Sequence, residues 1–291
     1  MSAEVSETRL GDAASIADLV NEQAQSLFGE AEITESEVRH WLTMPSLWTR
    51  VARRDGDVVG YLDANLQGSS TWLDIRTLDA DGAEALLAAG EAHAADGVVR
   101  VVVQGNDEVL RGVVEHAGWR LVRQSYRMLI QLSDALPEPQ WPAGISSRTM
   151  EPGEEERIYE ANNDAFADHW DFHPQPLDQW RAYAFGRENF DPTLVWLAED
   201  EGELSGFSLN VWHSSGDPEF GWVEILGVRP QWRRRGLATA LLHQSFRDFR
   251  RRDATRVGLG VDAENTTGAV RLYERVGMQV ARRNDTYEKP S

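Results

Sequence analysis

The sequence predicts an α+β protein made of two tandem copies of one unit. A chain of 291 residues is longer than the roughly 150 residues of an ordinary domain. Near its middle, residues 133–144 contain three prolines, which interrupt helical and strand patterns alike. Each half opens with a strand-like segment and an amphipathic helical pattern, then continues into an alternating hairpin. We therefore expect one domain over residues 1–135 and a second over residues 146–291.

The two halves correspond at several points. The hairpins WTRVARRDGDVVGYLDANL and LVWLAEDEGELSGFSLNVW have their glycine turns at matching positions. Near the end of each half, VVVQGNDEVLRGVVEHAGW lies over LGVDAENTTGAVRLYERVGM without a gap. Asn106 then falls on Asn265, and Glu115 falls on Glu274. Such internal similarity indicates one structural unit used twice.

Composition excludes several classes of function. The chain has no cysteine, which rules out disulfides, thiolate nucleophiles and cysteine-ligated zinc. A formal net charge of -19 argues against nucleic acid as a partner, because phosphate binding needs a basic surface. His169 and His173 have helical i, i+4 spacing, but Pro174 follows at once and no third ligand is evident, so we expect no metal site. The start of the sequence resembles no signal peptide and no apolar run is long enough to span a bilayer, which predicts a cytoplasmic protein without membrane contact.

One turn, within QWRRRGLATALL at residues 231–242, concentrates positive charge in this acidic chain. It follows the strand-like segment WVEILGV and precedes a helical pattern. Unpaired N–H groups at a helix N-terminus attract anions, Gly236 allows close backbone approach, and arginines add donors for phosphate. The spacing matches neither a Walker loop nor the dinucleotide-binding motif G-x-G-x-x-G. The first half has no equivalent turn.

Two motifs in the second half resemble those of the GCN5-related N-acetyltransferase (GNAT) family. The run V-x-P-x-x-R-R-R-G-L-A from Val228 resembles the family's acyl-CoA-binding motif, and N-x-x-x-A-x-x-L-Y-E-x-x-G-M from Asn265 resembles its second signature. The resemblance covers residues 146–291 and, more faintly, the first half. It implies two tandem GNAT-like domains, each with a mixed, mostly antiparallel central sheet flanked by helices. The first is expected to be degenerate, because Val114 stands in the place of Tyr273.

The resemblance also implies roles for individual residues. Acetyl-CoA, as acyl donor, would be bound by Leu226, Val228, Arg233, Arg234, Arg235, Gly236, Leu237, Ala238, Thr239 and Asn265. Tyr273 would be the general acid that protonates the departing thiolate. Glu224 is the candidate base: residues 224, 226 and 228 of an extended strand share a face, which would point its carboxylate toward the acyl chain. The family's glutamate often sits two residues earlier, where this chain has Trp222, so a water chain could act as the base instead.

The acceptor is expected to be a primary amine of a small molecule. Its pocket is predicted in the variable helical region, at Asp168, His169, Trp170 and Phe172, which mix acidic groups with aromatic planes. The tandem arrangement is similar to that of the mycothiol synthases, which acetylate a cysteinyl pseudodisaccharide. Protein N-acetylation and a non-catalytic acyl-CoA sensor also fit these motifs. The sequence leaves both a monomer and a homodimer open.

Overall fold

The computed structural model describes residues 3–94, 97–188 and 190–289. They form two compact units, Met1–Ser125 with Arg282–Ser291 and Tyr126–Ala281. Up to β6 the elements are β1 (Glu4–Glu7), α1 (Ala13–Phe28), α2 (Glu35–Thr43), β2 (Leu47–Arg54), β3 (Asp57–Gln67), β4 (Ser70–Thr77), α3 (Ala80–Ala94), β5 (Val98–Gln104), α4 (Glu108–His116) and β6 (Arg120–Gln131). After it come β7 (Ile145–Thr149), α5 (Glu155–Phe166), α6 (Leu177–Phe185), β8 (Val195–Asp200), β9 (Glu203–Trp212), β10 (Phe220–Val228), α7 (Leu237–Arg251), β11 (Arg256–Asp262), α8 (Ala269–Arg275) and β12 (Gln279–Glu288). The predicted α+β class is confirmed.

The first unit is built on strands in the order β1-β2-β3-β4-β5-β12. Only β4 and β5 are parallel; the other neighbours are antiparallel. Apolar side chains from α1 and α2 pack on one face of this sheet, and those from α3 and α4 pack on the other. Its last strand comes from the end of the chain, where residues 284–288 pair with residues 100–104.

A cluster of ion pairs occupies one face of β4 in the first unit. Asp63 and Asp74 lie directly opposite each other on β3 and β4. The Arg76 guanidinium donates to both Asp74 oxygens, at 2.6 and 3.1 Å, and to Glu32 at 3.4 Å. Burial, followed by the negative charge of Asp74, raises the pKa of Asp63 to about 8. Part of this face therefore carries charged side chains that pair with one another.

The second unit has the strand order β7-β8-β9-β10-β11-β6. Here β10 and β11 are parallel, whereas β7–β8, β8–β9 and β9–β10 are antiparallel. Phe207 of β9 packs with Ile158 and Trp180 of α5 and α6 on one face. Val223 of β10 packs with Phe246 of α7 on the other. The sheet is thus covered on both faces, which is why β9 is almost entirely buried.

The two predicted hairpin turns are confirmed. Asp55 and Gly56 have φ values of 55° and 97°, and Glu201 and Gly202 have values of 50° and 86°. Two consecutive residues with positive φ form the two-residue turn whose twist matches that of antiparallel strands. The same local chemistry therefore sets the register of the β2–β3 and β8–β9 hairpins.

Candidate functional site

Strands β10 and β11 part in the middle of the second unit. Their parallel pairing runs from Phe220 to Val223, with Val223 opposite Leu259 as the last pair. On the other side of β10, the register with β9 shifts between Val223 and Ile225, which leaves Glu224 as an extra, bulged residue. Beyond it, β10 stays paired to β9 but not to β11. A bulge bends its strand, and this one coincides with the opening of the gap.

The bulge overturns one expectation about the strand. Glu224 was predicted to share a face with Leu226 and Val228, which holds only for regular alternation. The structure shows this to be wrong. Glu224 contacts Tyr183 on the α6 side, whereas Leu226 and Val228 pack with apolar residues of α7 on the opposite face. The extra residue reverses the alternation, so the carboxylate and the two apolar side chains lie on different sides of the split.

The turn after β10 presents a set of unpaired backbone donors. It passes through Pro230–Trp232, turns with φ of 62° at Arg234 and 89° at Gly236, and enters α7 at Leu237. No side chain caps this helix. In the part of the chain that the structure describes, the N–H groups of residues 234–239 have no acceptor. Unpaired N–H groups at a helix N-terminus attract anions. The turn therefore has the donors that the predicted anion site needs, and anion binding by it stays a prediction.

The three arginines of this turn differ in their contacts. Arg233 donates to both oxygens of Asp168, at 2.5 and 3.0 Å, and to the carbonyls of Val228 and Ala165. It therefore ties the end of β10 to the end of α5. Arg235 lies 3.5 Å from a carboxylate oxygen of Asp200, and Arg234 is exposed.

The same position in the first unit is closed by a carboxylate. Asp79 precedes α3 and accepts a hydrogen bond from the Gly82 N–H at 2.8 Å. Arg54 holds the same carboxylate through bonds of 2.9 and 3.3 Å. A negative charge that already caps the helix repels a second anion. The N-terminus of α7 is thus open to an anion, whereas that of α3 is capped by a carboxylate.

This contrast leads to a first prediction. Gly236→Asp should keep the fold, since aspartate tolerates left-handed backbone and caps helices, but should weaken acetyl-CoA binding roughly 10- to 100-fold by repulsion. Calorimetric titration measures this. Gly153→Asp is the matched control. The φ angle is 90° at Gly153 and 89° at Gly236, and a Cβ added at either position would meet no atom within 4 Å. Gly236→Asn separates the effect of the negative charge from that of the side chain's size, because asparagine has nearly the shape of aspartate and is neutral. Equal affinities for the wild type and Gly236→Asp would remove the anion role.

Tyr273, on α8, projects into the core beside the split. Its side chain is 8% exposed and packs in one cluster with Val223 and Leu259. Burial raises the pKa of Tyr273 to about 12. Its hydroxyl makes no hydrogen bond to any described residue. The phenol is therefore protonated at neutral pH, and its predicted role as the general acid stays a prediction.

Asn265 follows the end of β11, and the first turn of α7 follows the turn after β10. The Asn265 Oδ1 atom accepts from the Thr267 N–H at 2.8 Å and from the Thr267 hydroxyl, which orders the loop before α8. Leu237 is buried, whereas Ala238 and Thr239 are half-buried. The predicted contacts of these residues with acetyl-CoA remain predictions.

Two partners of Glu224 were not predicted from the sequence. The Tyr183 hydroxyl donates to Oε1 of Glu224, and Nη2 of Arg187 lies 3.4 Å from Oε2. The Glu224 side chain is only 12% exposed. Burial of the hydroxyl, followed by the charge of Glu224, raises the pKa of Tyr183 well above its usual value. No short motif marks either residue, and only the packing of α6 brings them to β10.

The predicted acceptor residues lie together after α5, though in different environments. Asp168 is held by Arg233, as described above. Burial lowers the pKa of His169, whose ring meets Phe166 edge-on at 4.6 Å. Phe172 lies 6.2 Å from the same phenylalanine, and Trp170 is 38% exposed. Their roles in binding an acceptor remain predictions.

Two further properties concern only residues 3–94, 97–188 and 190–289. Within these ranges, no three histidine, aspartate or glutamate side chains converge in the arrangement of a metal site. No helix there is long and apolar enough to cross a bilayer.

Comparison with known sequences places this site in a family. Residues 155–278 match the model of the acetyltransferase (GNAT) family. A mycothiol acetyltransferase of Salinispora arenicola is 31% identical over 250 residues, which cover 80% of this chain and 78% of that protein. One from Thermobispora bispora is 35% identical, and one from Streptomyces coelicolor is 34% identical; each match covers 62% of this chain. The matches span 61% and 57% of those two relatives, less than two thirds of their length.

Solved structures extend the likeness over nearly the whole chain. A GCN5-related N-acetyltransferase from Sphaerobacter thermophilus has a TM-score of 0.79 at 28% identity, covering 99% of this chain and 95% of that one. A tandem GNAT protein from the clavulanic acid biosynthesis pathway has a TM-score of 0.75 at 16% identity, with 99% coverage of both chains. The second likeness shows the tandem fold and confirms the predicted fold class. With its matching motifs, relatives and fold, the chain belongs to the GCN5-related N-acetyltransferase (GNAT) family.

Proposed function

We propose that the second unit transfers an acetyl group from acetyl-CoA to the primary amine of a small molecule. The observation that carries this proposal is the continuity of two features: a split between β10 and β11, and an open anion site at the end of β10. A thioester chain lying in the split would reach the anion site with its diphosphate. The unpaired N–H groups of residues 234–239 and the exposed Arg234 fit that group.

The chain's own residues would position the donor. Leu226 and Val228 pair with β9 on one side of β10, so their other edge faces the split. Backbone groups on that edge can hold an extended chain as a neighbouring strand would. Holding amine and thioester in one geometry supplies a large share of the rate, because a bimolecular encounter becomes an intramolecular one.

Acetyl transfer then needs two proton movements. Bound acetyl-CoA supplies a thioester, whose acetyl carbon gains a C–N bond to the amine while its C–S bond breaks. Glu224 takes the proton that the ammonium nitrogen loses, and Tyr273 gives the proton that the departing sulfur gains. The buried surroundings that raise the pKa of Tyr273 would also raise that of a thiol released beside it, which keeps this transfer feasible.

A second candidate acceptor is a cysteinyl pseudodisaccharide of the kind that mycothiol synthases acetylate. The match of this chain to the Salinispora arenicola mycothiol acetyltransferase over 250 residues favours it. In either case we propose that the first unit binds no acetyl-CoA, because Asp79 caps α3 and the Arg76–Asp74 ion pair lies on β4.

The test is a panel of small amines, including a cysteinyl pseudodisaccharide, incubated with acetyl-CoA and followed by release of free CoA. We expect turnover with at least one amine and acetyl-CoA binding with 1:1 stoichiometry in calorimetry. Two bound molecules per chain would contradict the assignment to the second unit. Binding without turnover across amines and lysine peptides would identify a sensor, and turnover of peptides alone would identify a protein acetyltransferase.

A further inference from the structure

Strand β11 presents two different faces at the split. Val257, Leu259 and Val261 point into the core cluster that contains Tyr273. Gly258 and Gly260 alternate with them and so lie on the opposite face, where Glu224 meets Tyr183. The side of the split away from Tyr273 is therefore bordered by a carboxylate on β10 and by glycines on β11.

The surroundings of the two glycines differ, and only one of them requires glycine for packing. A Cβ on Gly258 would lie 2.5 Å from the Trp222 ring and 2.7 Å from Leu129, so packing requires glycine there. A Cβ on Gly260 would meet nothing within 4 Å, the residue is exposed, and its φ is not in the left-handed region. Neither packing nor backbone conformation accounts for Gly260. Glycine inside a strand weakens the strand and often marks the close approach of a ligand.

Gly260 also stands at a defined point of the split. It is the residue after Leu259, whose pairing with Val223 is the last between the two strands. Glu224 is likewise the first residue of β10 beyond that last pair. An amine that gives its proton to Glu224 from this side must pass between the two, with the carbon that bears the amine next to β11.

We infer that Gly260 is a specificity-determining residue for the acceptor: the carbon bearing the amine rests against it, and the missing side chain admits acceptors substituted at that carbon. This inference rests on the proposed function. The acceptor class is then a primary amine on a branched carbon. A side chain at Gly260 would occupy the space of the branch, and its Cβ would meet no atom of the protein within 4 Å.

The series glycinamide, alaninamide and valinamide tests this inference, because its members differ only in the size of the branch. The wild type should acetylate all three. Gly260→Val should raise KM for valinamide roughly 10- to 100-fold and for glycinamide less than about fivefold, with acetyl-CoA affinity unchanged. Its melting temperature should rise, since valine suits a strand better than glycine. Gly112→Ala, at a helical glycine of the first unit with equally open surroundings, is the control for stabilisation alone.

Several outcomes decide between this inference and the proposed function. An equal rise in KM for all three amides in Gly260→Val, or no rise for any of them, would overturn the role of Gly260. A wild type that acetylates glycinamide and rejects valinamide would overturn it as well. If the wild type acetylates no amine at all, the proposed function fails. Calorimetry of the three amides in the presence of CoA then tests Gly260 by itself: size-dependent weakening in Gly260→Val supports the contact, and size-independent affinities contradict it.

Discussion

Tyr273→Phe is expected to lower kcat by roughly 10²–10⁴-fold while changing acetyl-CoA affinity less than about twofold. Phenylalanine preserves the packing of the ring with Val223 and Leu259 and removes only the proton donor. Because the pKa of Tyr273 is raised to about 12, the phenol stays protonated through about pH 6–10. The ratio of wild-type to mutant kcat should therefore be constant across that range. Steady-state kinetics and calorimetry give the two quantities.

Tyr126→Phe is the control for this prediction. Tyr126 is a partly buried tyrosine that packs against the same apolar cluster, so its substitution reports the cost of losing a phenol from this region. We expect its kcat to stay within about threefold of the wild type. An unchanged kcat in Tyr273→Phe would mean that the departing sulfur does not receive its proton from Tyr273. That result would exclude Tyr273 from the chemistry.

Glu224→Gln is expected to lower kcat/KM about 10²-fold near pH 7. Glutamine keeps the size of the side chain and an oxygen that can accept from Tyr183, but it cannot take a proton from the acceptor. The loss should shrink as the pH rises toward the pKa of a free amine, about 8–10, because the amine then loses its proton to water unaided. A pH profile of kcat/KM for both enzymes measures this rescue.

Two further variants sharpen the Glu224 prediction. Glu274→Gln changes an exposed carboxylate of α8 close to Tyr273 in sequence and should leave kcat/KM unchanged at every pH. Tyr183→Phe removes a hydrogen bond that positions Glu224 and should give a smaller, partial loss. A Glu224→Gln loss that persists unchanged at high pH would indicate that Glu224 positions the acceptor and that a water chain carries the proton.

The sequence predicts those features that depend on local chemistry. The hairpin turns at Gly56 and Gly202 follow from residues that tolerate positive φ, and the start of α7 follows from Gly236 and the apolar helix after it. The order of strands and helices could likewise be inferred because the two halves repeat it. For the turns and the start of α7, the information lies within a few residues, where backbone preferences decide the outcome.

Features set by distant packing could not be predicted in this way. The bulge at Glu224 depends on how β10 fits between β9 and β11, so the strand's own alternation gave the wrong face for its carboxylate. The pairing of Arg233 with Asp168 joins residues 65 apart, and neither belongs to a motif that names its partner. Tyr183 reached Glu224 by the same kind of long-range contact. These interactions involve residues outside the two GNAT motifs or link a motif residue to a distant one, so the motifs give no guidance to them.

The origin of β12 has a consequence for folding during synthesis. Domains usually fold in the order in which they leave the ribosome. The first unit is synthesised early, but it cannot complete its sheet until residues 284–288 emerge and pair with β5. Until then Arg111 lacks Asp285, its fully buried partner 174 positions further along the chain. The first unit thus closes its sheet only after the second unit has been synthesised, and until then the edge of β5 must be kept from pairing with other strands.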